Sequence, residues 1–434
     1  MESDKKQVSR RDFLKGSAAV AATAALASVG THYVYAAGSD TIKVGLIGCG
    51  GRGGGAIAQC CEAADITKTN IKVVAFGDLW QNKAKGAMDG LKRDKNHGAK
   101  VGATEAQCFG GFDNGDKVIA TGVDLIVTAA PPGFRPMHFD AAVKAGKHVF
   151  MEKPVCVDPV GYRTVCAAAA AANQRKLTVV AGTQRRHSKR YQGTIEQFQK
   201  GTLGKLLGGQ FYWMGGPVTH NRPRGQGMSD IEWQVLNWFA WSWTCGDHIV
   251  EQHVHNLDVM LWAMGSPPES AVGIGGRQVR PEPGNIYDHH AVEYTFPGGV
   301  RCASYCSHFG GKAAGRENNR VVGEKGTSNC SGEILSHTKE SIWGFKGEEI
   351  NPQVQEHVDC LNSITGKDKH LNEGQQVADS CMTAVLGRMC TYTGREIKWD
   401  WATKVSKLRL GPDQLVFGPY KADPVAMPGV TELI

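Results

Sequence analysis

The sequence is short of the features that would fix its class at a glance. None of its 13 cysteines forms a Cys-x-x-Cys pair, and Cys60 and Cys61 are adjacent. That excludes the spacing of zinc ribbons and dithiol centres. It also specifies no disulfide framework, so the cysteines read as small buried apolar side chains. No run reaches the ~20 apolar residues of a spanning helix, so no stable membrane span is expected. There is no internal repeat and no low-complexity linker. Charge of one sign is scarce too. The formal net charge is +7 over 434 residues, and part of it sits at the N-terminus, where Lys5, Lys6, Arg10, Arg11 and Lys15 outnumber Glu2, Asp4 and Asp12. The remainder is too dilute for a nucleic-acid surface.

What is present is the composition of a soluble globular chain, 41% hydrophobic and 21% charged. Its length exceeds one ordinary core, so two domains are expected. Ahead of them, Ser9-Arg10-Arg11-Asp12-Phe13-Leu14-Lys15 precedes an uncharged, Ala-rich run from Gly16 to Gly30. A charged region followed by a short, weakly apolar one is the arrangement of a twin-arginine signal. Small residues at Val34-Tyr35-Ala36, or at Ala25-Leu26-Ala27, suit cleavage, and residues 1–36 are assigned to the leader. The expectation is periplasmic export through the twin-arginine machinery, a route that carries folded and often cofactor-loaded proteins.

From residue 41 to 182, β-rich runs alternate with helical stretches. Thr41–Ile47, Ile71–Phe76, Asp124–Thr128, Lys147–Met151 and Leu177–Ala181 are the strands, and Asp158–Asn173 is an Ala-rich helix. That alternation predicts a parallel sheet with right-handed crossovers. Beyond about 185 the pattern changes. Gly209–Trp213, Ala271–Gly275, Ala291–Phe296, Val300–Ser307 and Val321–Gly323 read as strands joined by turns such as Pro297-Gly298-Gly299. The fold class is therefore α/β followed by α+β: a Rossmann domain over 41–182, then an open, mainly antiparallel sheet domain over 183–400. A helix around Val250–Trp262 lies on that sheet, helices near 375–392 pack back on the first domain, and 401–434 form a tail.

Gly48-Cys49-Gly50-Gly51-Arg52-Gly53 fits Gly-x-Gly-x-x-Gly with a strand before it and a helix after it. Gly48 permits the tight turn, Gly50 lets the backbone approach a pyrophosphate, and Gly53 allows close helix–strand packing. Gly51 and Arg52 complete the loop, whose N–H groups and positive helix end attract the phosphates. Asp78, about 25 residues on at the end of the second strand, suits both ribose hydroxyls and favours NAD. Lys83 and Lys85 keep NADP possible.

At this point the chain resembles the Gfo/Idh/MocA family of nicotinamide-dependent sugar oxidoreductases. The resemblance spans most of 41–400. It rests on the glycine loop, Ala129-Ala130-Pro131-Pro132 with His138, Glu152-Lys153-Pro154, and Glu251 through Asp258. It implies NAD held by the loop, Asp78, Pro131, His138, Glu152 and Lys153, and an enzyme exported beyond the cytoplasmic NAD pool is expected to hold it tightly. It also implies a homo-oligomer, dimer or tetramer, joined through the open sheet. Lys153 takes the substrate's hydroxyl proton, because a cationic nicotinamide ring and partial desolvation lower a lysine pKa from about 10.4. His255 assists that transfer, and Glu251 binds substrate hydroxyls beside it. The family's usual Asp-x-Gly-x-His-x-x-Asp reads here as Glu251, His253, His255 and Asp258, so a Glu replaces an Asp and a His replaces a Gly. Gln184, Arg185 and Arg186 follow a strand where the family lines its substrate cleft. His253 and Tyr287 join them as candidate substrate contacts, and Trp238, Trp241 and Trp243 offer aromatic faces.

Placed on one helix, His248, Glu251 and His255 would share a face, which suits a metal or a proton relay. His-x-x-Glu-x-His matches no usual zinc spacing and no distant ligand is signalled, so the reading is a relay and no metal. The expected activity is an exported NAD(P)-dependent oxidoreductase acting on the secondary alcohol of a sugar, glycoside or polyol. Two alternatives stand beside it: a glycoside hydrolase or lyase working by transient oxidation and elimination, and a non-catalytic sugar or cofactor sensor.

Overall fold

The computed structural model describes residues 41–434 except Glu282; the twin-arginine leader lies outside the described residues. The first part carries β1 (Ile42–Ile47), α1 (Gly51–Thr67), β2 (Ile71–Gly77), α2 (Gln81–Lys92), β3 (Cys108–Phe109), α3 (Asn114–Ala120), β4 (Leu125–Thr128), α4 (Arg135–Lys144), β5 (His148–Met151), α5 (Pro159–Gln174) and β6 (Val179–Ala181). These strands pair in parallel in the order β3-β2-β1-β4-β5-β6. Strands covered by helices on both faces need apolar residues on both, and β4 accordingly is buried at every position. The order reverses between β1 and β4, which opens a crevice at the carboxyl ends of the strands.

After α6 (Lys189–Gln199) comes β7 (Leu206–Met214). Four helices follow: α7 (Asp230–Leu236), α8 (Ser242–Cys245), α9 (His248–Glu251) and α10 (Val254–Met264). Next are β8 (Ser270–Gly276), β9 (His289–Phe296), β10 (Val300–Ser307), β11 (Arg316–Gly323), β12 (Gly326–Ser328), β13 (Glu333–Ser336) and β14 (Ser341–Gly344). The second sheet has the order β14-β13-β12-β11-β7-β10-β9-β8-β15, where β15 is Ile397–Lys398. All its pairs are antiparallel except β10 with β7. Along β9 buried residues alternate with half-buried ones, the mark of a sheet with one face on a core.

Two expectations change in detail. The helix expected over Val250–Trp262 is broken at Gln252–His253 into α9 and α10. The C-terminal helices bind the first domain more broadly than expected. α11 (Pro352–Ile364) packs on α1, whereas α12 (Gly374–Thr393) packs on α5 on one side and on β8 and β9 on the other. Between them, Leu371–Glu373 adds to the edge of β6: Val179 N donates to Leu371 O (3.0 Å) and Glu373 N to Val179 O (2.9 Å). Thr41–Ile434 is thereby one unit.

His187 ties this closure to the start of the second domain. It ends the 3-10 turn Gln184–His187 with Nδ1 2.6 Å from Asp359 and Nε2 3.4 Å from Glu373. Burial opposes its charge, but Glu373 and Asp359, with Glu356 behind them, raise the imidazole pKa to about 10. Unfolded, it would titrate near 6.5. The charged pair's stabilisation is therefore complete below about pH 6.5 and is lost as the pH rises toward 10. Urea midpoints measured at pH 6 and pH 9 should fall for the wild type, and His187→Gln should be less stable at pH 6 with a shallower fall. Equal slopes in the two proteins would refute the assignment.

Candidate active site

A cleft of about 340 Å3 runs along the carboxyl ends of the parallel strands, from the glycine loop to Glu251. The loop is built as its glycines require. Gly48 has φ +89°, and a Cβ there would lie 2.3 Å from Ala130 N; a Cβ on Gly53 would meet Gly48 O at 1.8 Å. Gly50 and Gly51 face nothing within 4 Å, so their backbone stands open to the cleft at the start of the 17-residue α1. Gly50 supplies no side-chain cap, which leaves first-turn N–H groups for an anion. Asp78 is held by Cys49 N (2.8 Å) and Trp80 N (3.1 Å), one to each oxygen, so lone pairs remain for a ribose. Lys83 lies 4.0 Å over the Trp80 ring.

Pro131 and His138 line the middle of the cleft. His138 is buried, neither ring nitrogen has a hydrogen-bond partner among the described residues, and burial with Arg135 nearby lowers its pKa to about 4. A neutral imidazole with free polar atoms in a cleft is ready for a polar ligand. Glu152 pairs with Arg52 at 2.9 Å across the mouth of α1. The room for its carboxylate comes from Gly182, where a Cβ would sit 2.5 Å from Oε2.

Lys153 leaves the end of β5, its peptide bond to Pro154 is cis, and Arg135 donates to Pro154 O. Its Nζ donates to the Glu251 carbonyl (2.6 Å) and to the Glu251 carboxylate (3.2 Å). The pair is mostly buried, at 14% and 15% side-chain exposure, yet both residues line the cleft. His255, the second residue of α10, is 8% exposed and stacks on Trp213 of β7 at 5.7 Å. Burial first, then Lys153 and Arg185, push its pKa well below the ordinary value, so it is neutral.

The structure thus brings Gly48, Gly50, Gly51, Arg52, Gly53 and Asp78 into one cleft, together with Pro131, His138, Glu152, Lys153 and Glu251. The expected substrate contacts are placed differently. His253 is fully buried and bonded to Ser304 (2.8 Å), so it fills the core under α10 and does not reach the cleft. Tyr287 is buried with its hydroxyl on Ala426 O (2.9 Å). Arg186 is committed to Asp258 at 2.9 and 3.0 Å, and Ser380 also donates to that carboxylate. Arg185 pairs with Glu317 (2.7 Å) on β11, and Gln184 is half-buried beside it. His248, three residues before Glu251 on α9, is not among the residues that line the cleft. It is fully buried against His290 and His308.

Some lining residues carried no motif. Arg135, Trp80 and Val235 line the cleft, and Trp213 supports His255, each positioned by tertiary packing. Among the three tryptophans considered, Trp238 lines the cleft, while Trp243 donates to Gln234 and Trp241 packs on Trp233.

The similarities to known proteins agree with this geometry. Residues 42–181 match the oxidoreductase family with an NAD-binding Rossmann fold called Gfo/Idh/MocA, and 196–329 match its C-terminal domain. Residues 7–27 match a twin-arginine translocation pathway signal sequence. An inositol 2-dehydrogenase of Burkholderia vietnamiensis is 26% identical over 262 residues, 60% of this chain and 66% of that protein, so just under two thirds of the relative is spanned. A 2,7-anhydro-N-acetylneuraminate hydratase of Escherichia coli is 25% identical over 208 residues, 48% of this chain and 51% of that protein. The fold is shared with the WlbA dehydrogenase of Bordetella pertussis, solved with NADH and UDP-GlcNAcA, at 17% identity and a TM-score of 0.60 over 83% of this chain and 99% of that one. Matched through both of its domains, the chain belongs to the Gfo/Idh/MocA family of oxidoreductases.

Proposed function

We propose that this chain is an exported, periplasmic NAD-dependent oxidoreductase that acts on a secondary alcohol of a sugar, glycoside or polyol and keeps its dinucleotide tightly bound. The observation that carries this reading is Lys153, whose Nζ shares one cleft with the open Gly50–Gly51 backbone and Asp78. The similarity to an inositol 2-dehydrogenase supports a polyhydroxylated substrate.

The loop, Asp78, Pro131, His138 and Glu152 would hold NAD, which supplies the hydride acceptor when bound. A carboxylate at position 78 favours a free ribose hydroxyl over a phosphate, and the Lys83 ammonium is already engaged with Trp80. Lys153 takes the hydroxyl proton as the free amine. Glu251, 3.2 Å from Nζ and itself partly exposed, is the group able to relieve Lys153 of its proton and pass it to solvent. His255 is too weakly basic to hold a proton for long, so it orients the substrate hydroxyl by hydrogen bonding while Trp213 fixes its ring. Arg185 and Gln184 are the substrate contacts retained in this reading. Exposed Val272, Ile274 and Tyr305 on the outer sheet support a homo-oligomer joined there.

A second reading draws on the similarity to a hydratase, whose named reaction involves no net oxidation. In it, oxidation at one carbon acidifies the neighbouring C–H, a glycosidic group is eliminated, and the oxidation is reversed at the end.

Three measurements test these readings. Lys153→Ala should lower kcat by about 10²–10⁴-fold with NAD still bound; unchanged activity would remove Lys153 from the chemistry, and inactivity of the wild type across a glycoside and polyol panel would favour a sensor. Asp78→Ala should weaken NAD by roughly 10–100-fold, the worth of a hydrogen bond to a charged group, and should narrow the preference over NADP. NADH absorbance followed during turnover separates the dehydrogenase, which accumulates reduced cofactor or a reduced second substrate, from the transient-oxidation cycle, which converts glycoside with neither.

A further inference from the structure

Behind Glu251, away from the cleft, Asp247, His248 and His290 meet in a chamber closed to solvent. Asp247 and His248 have 0% exposure and His290 2%. Asp247 takes φ +82°, a conformation costly for a non-glycine residue, and its carboxylate is held from several sides. Oδ2 accepts from Tyr287 N (2.8 Å) and the Tyr392 hydroxyl (2.6 Å), which fills it. Oδ1 accepts from His248 N (2.5 Å), which leaves a lone pair toward the neighbouring imidazoles.

That lone pair faces two imidazoles. His290 Nε2 lies 3.3 Å from Oδ1 and His248 Nε2 3.9 Å. Neither nitrogen has a hydrogen-bond partner among the described residues, and His248 Nδ1 has none either. The tautomer of His290 is coupled to its other side. Its Nδ1 is 2.9 Å from Thr391 Oγ1, which also lies 3.0 Å from Arg388 O. If the Thr391 hydroxyl donates to Nδ1, Nε2–H points at Oδ1; if Nδ1 donates, neutral His290 turns a bare Nε2 lone pair toward that carboxylate oxygen. In the second arrangement the two lone pairs repel unless something positive lies between them.

A proton is the simpler candidate, and it would make His290 an imidazolium paired with Asp247. It leaves both nitrogens of the fully buried His248 without a hydrogen-bond partner among the described residues. A metal ion would engage His290 Nε2, one nitrogen of His248 and Oδ1 together. With bonds of about 2.0–2.2 Å to imidazole and carboxylate, tetrahedral ligand atoms stand roughly 3.3–3.5 Å apart. The His290–Asp247 distance already matches, the three ligand atoms all lie within 4.8 Å of one another, and among the described residues no ring hydrogen bond holds His248 back from closing on an ion. His308 is a wall of this chamber and not a ligand. It stacks on His248 at 4.3 Å, and Arg280 donates to its Nδ1, which leaves its Nε2–H for Gln252. Arg280 and Arg388 oppose any added positive charge, an imidazolium as well as a metal, but only the metal forms bonds in return.

We propose that Asp247, His248 and His290 bind one divalent ion of the zinc class, structural in role and separate from the dinucleotide cleft. Two imidazoles and a carboxylate select such an ion over calcium or magnesium. The ion would fasten the start of α9 to β9. The end of α9 is Glu251, the residue that holds Lys153, so the ion would position the catalytic lysine without touching substrate.

The test uses untagged full-length protein, stripped with a chelator and reloaded with zinc or cobalt(II) chloride. Elemental analysis should find about one ion per chain, cobalt should give visible absorption bands absent from the stripped protein, and chelation should lower Tm by several degrees. His290→Gln should lose the ion while still binding NAD. A wild type that takes up no metal overturns the proposal, as does an ion that His290→Gln retains. If that variant does not fold, X-ray absorption on the zinc-loaded wild type decides. A shell with two imidazoles supports the site, and a shell with sulfur or with oxygen alone overturns it.

Discussion

The candidate site depends on a single contact between two domains, the reach of Lys153 from the end of β5 to the carbonyl and carboxylate of Glu251. Each end of that contact is fixed by its own neighbourhood. On the Rossmann side, Arg135 holds Pro154 O and Arg52 pairs with Glu152, so the residues flanking Lys153 are constrained. On the other side, α9 is a single turn with Asp247 at its head and Glu251 at its foot. A four-residue helix has little stability of its own. Its orientation comes from the buried carboxylate of Asp247, which engages Tyr287, Tyr392 and His248.

The dinucleotide half was legible because its requirements are local. A tight turn, an open backbone and a close helix–strand crossing each demand glycine at a fixed spacing, and Gly48, Gly50 and Gly53 show all three. Asp78 followed from its place at the end of the second strand, about 25 residues after the glycine loop. The parallel sheet was legible for the same reason, since strands buried on both faces appear as continuous apolar runs.

The substrate half was less legible. Sequence spacing gives neighbours on a helix only if the helix is unbroken, and the break at Gln252–His253 puts His255 on a different helix from His248 and Glu251. Nor does a polar residue type announce its partner. Arg186 meets Asp258 across 72 residues and His253 meets Ser304 across 51, so both are spent inside the fold on groups no local pattern could pair with them. Short β12, β13 and β14 lie outside the strands expected from periodicity, because three or four residues are too few to establish an alternation. α12 was recognised as a helix, but its burial on two sides could not follow from a pattern that registers only one face.

The segment Leu371–Glu373 adds to the free edge of the parallel sheet, and Glu373 also accepts from Ala181 N across 192 residues. A ribosome releases the chain from its N-terminus, so β6 emerges long before the segment that covers it. The Rossmann sheet therefore has an open edge throughout synthesis of the second domain, and α11 arrives on α1 only after that domain is complete. The two domains are consecutive in sequence but not in assembly. The dinucleotide cleft and the partner that completes it mature together, which makes acquisition of the cofactor a property of the finished chain and not of its first half.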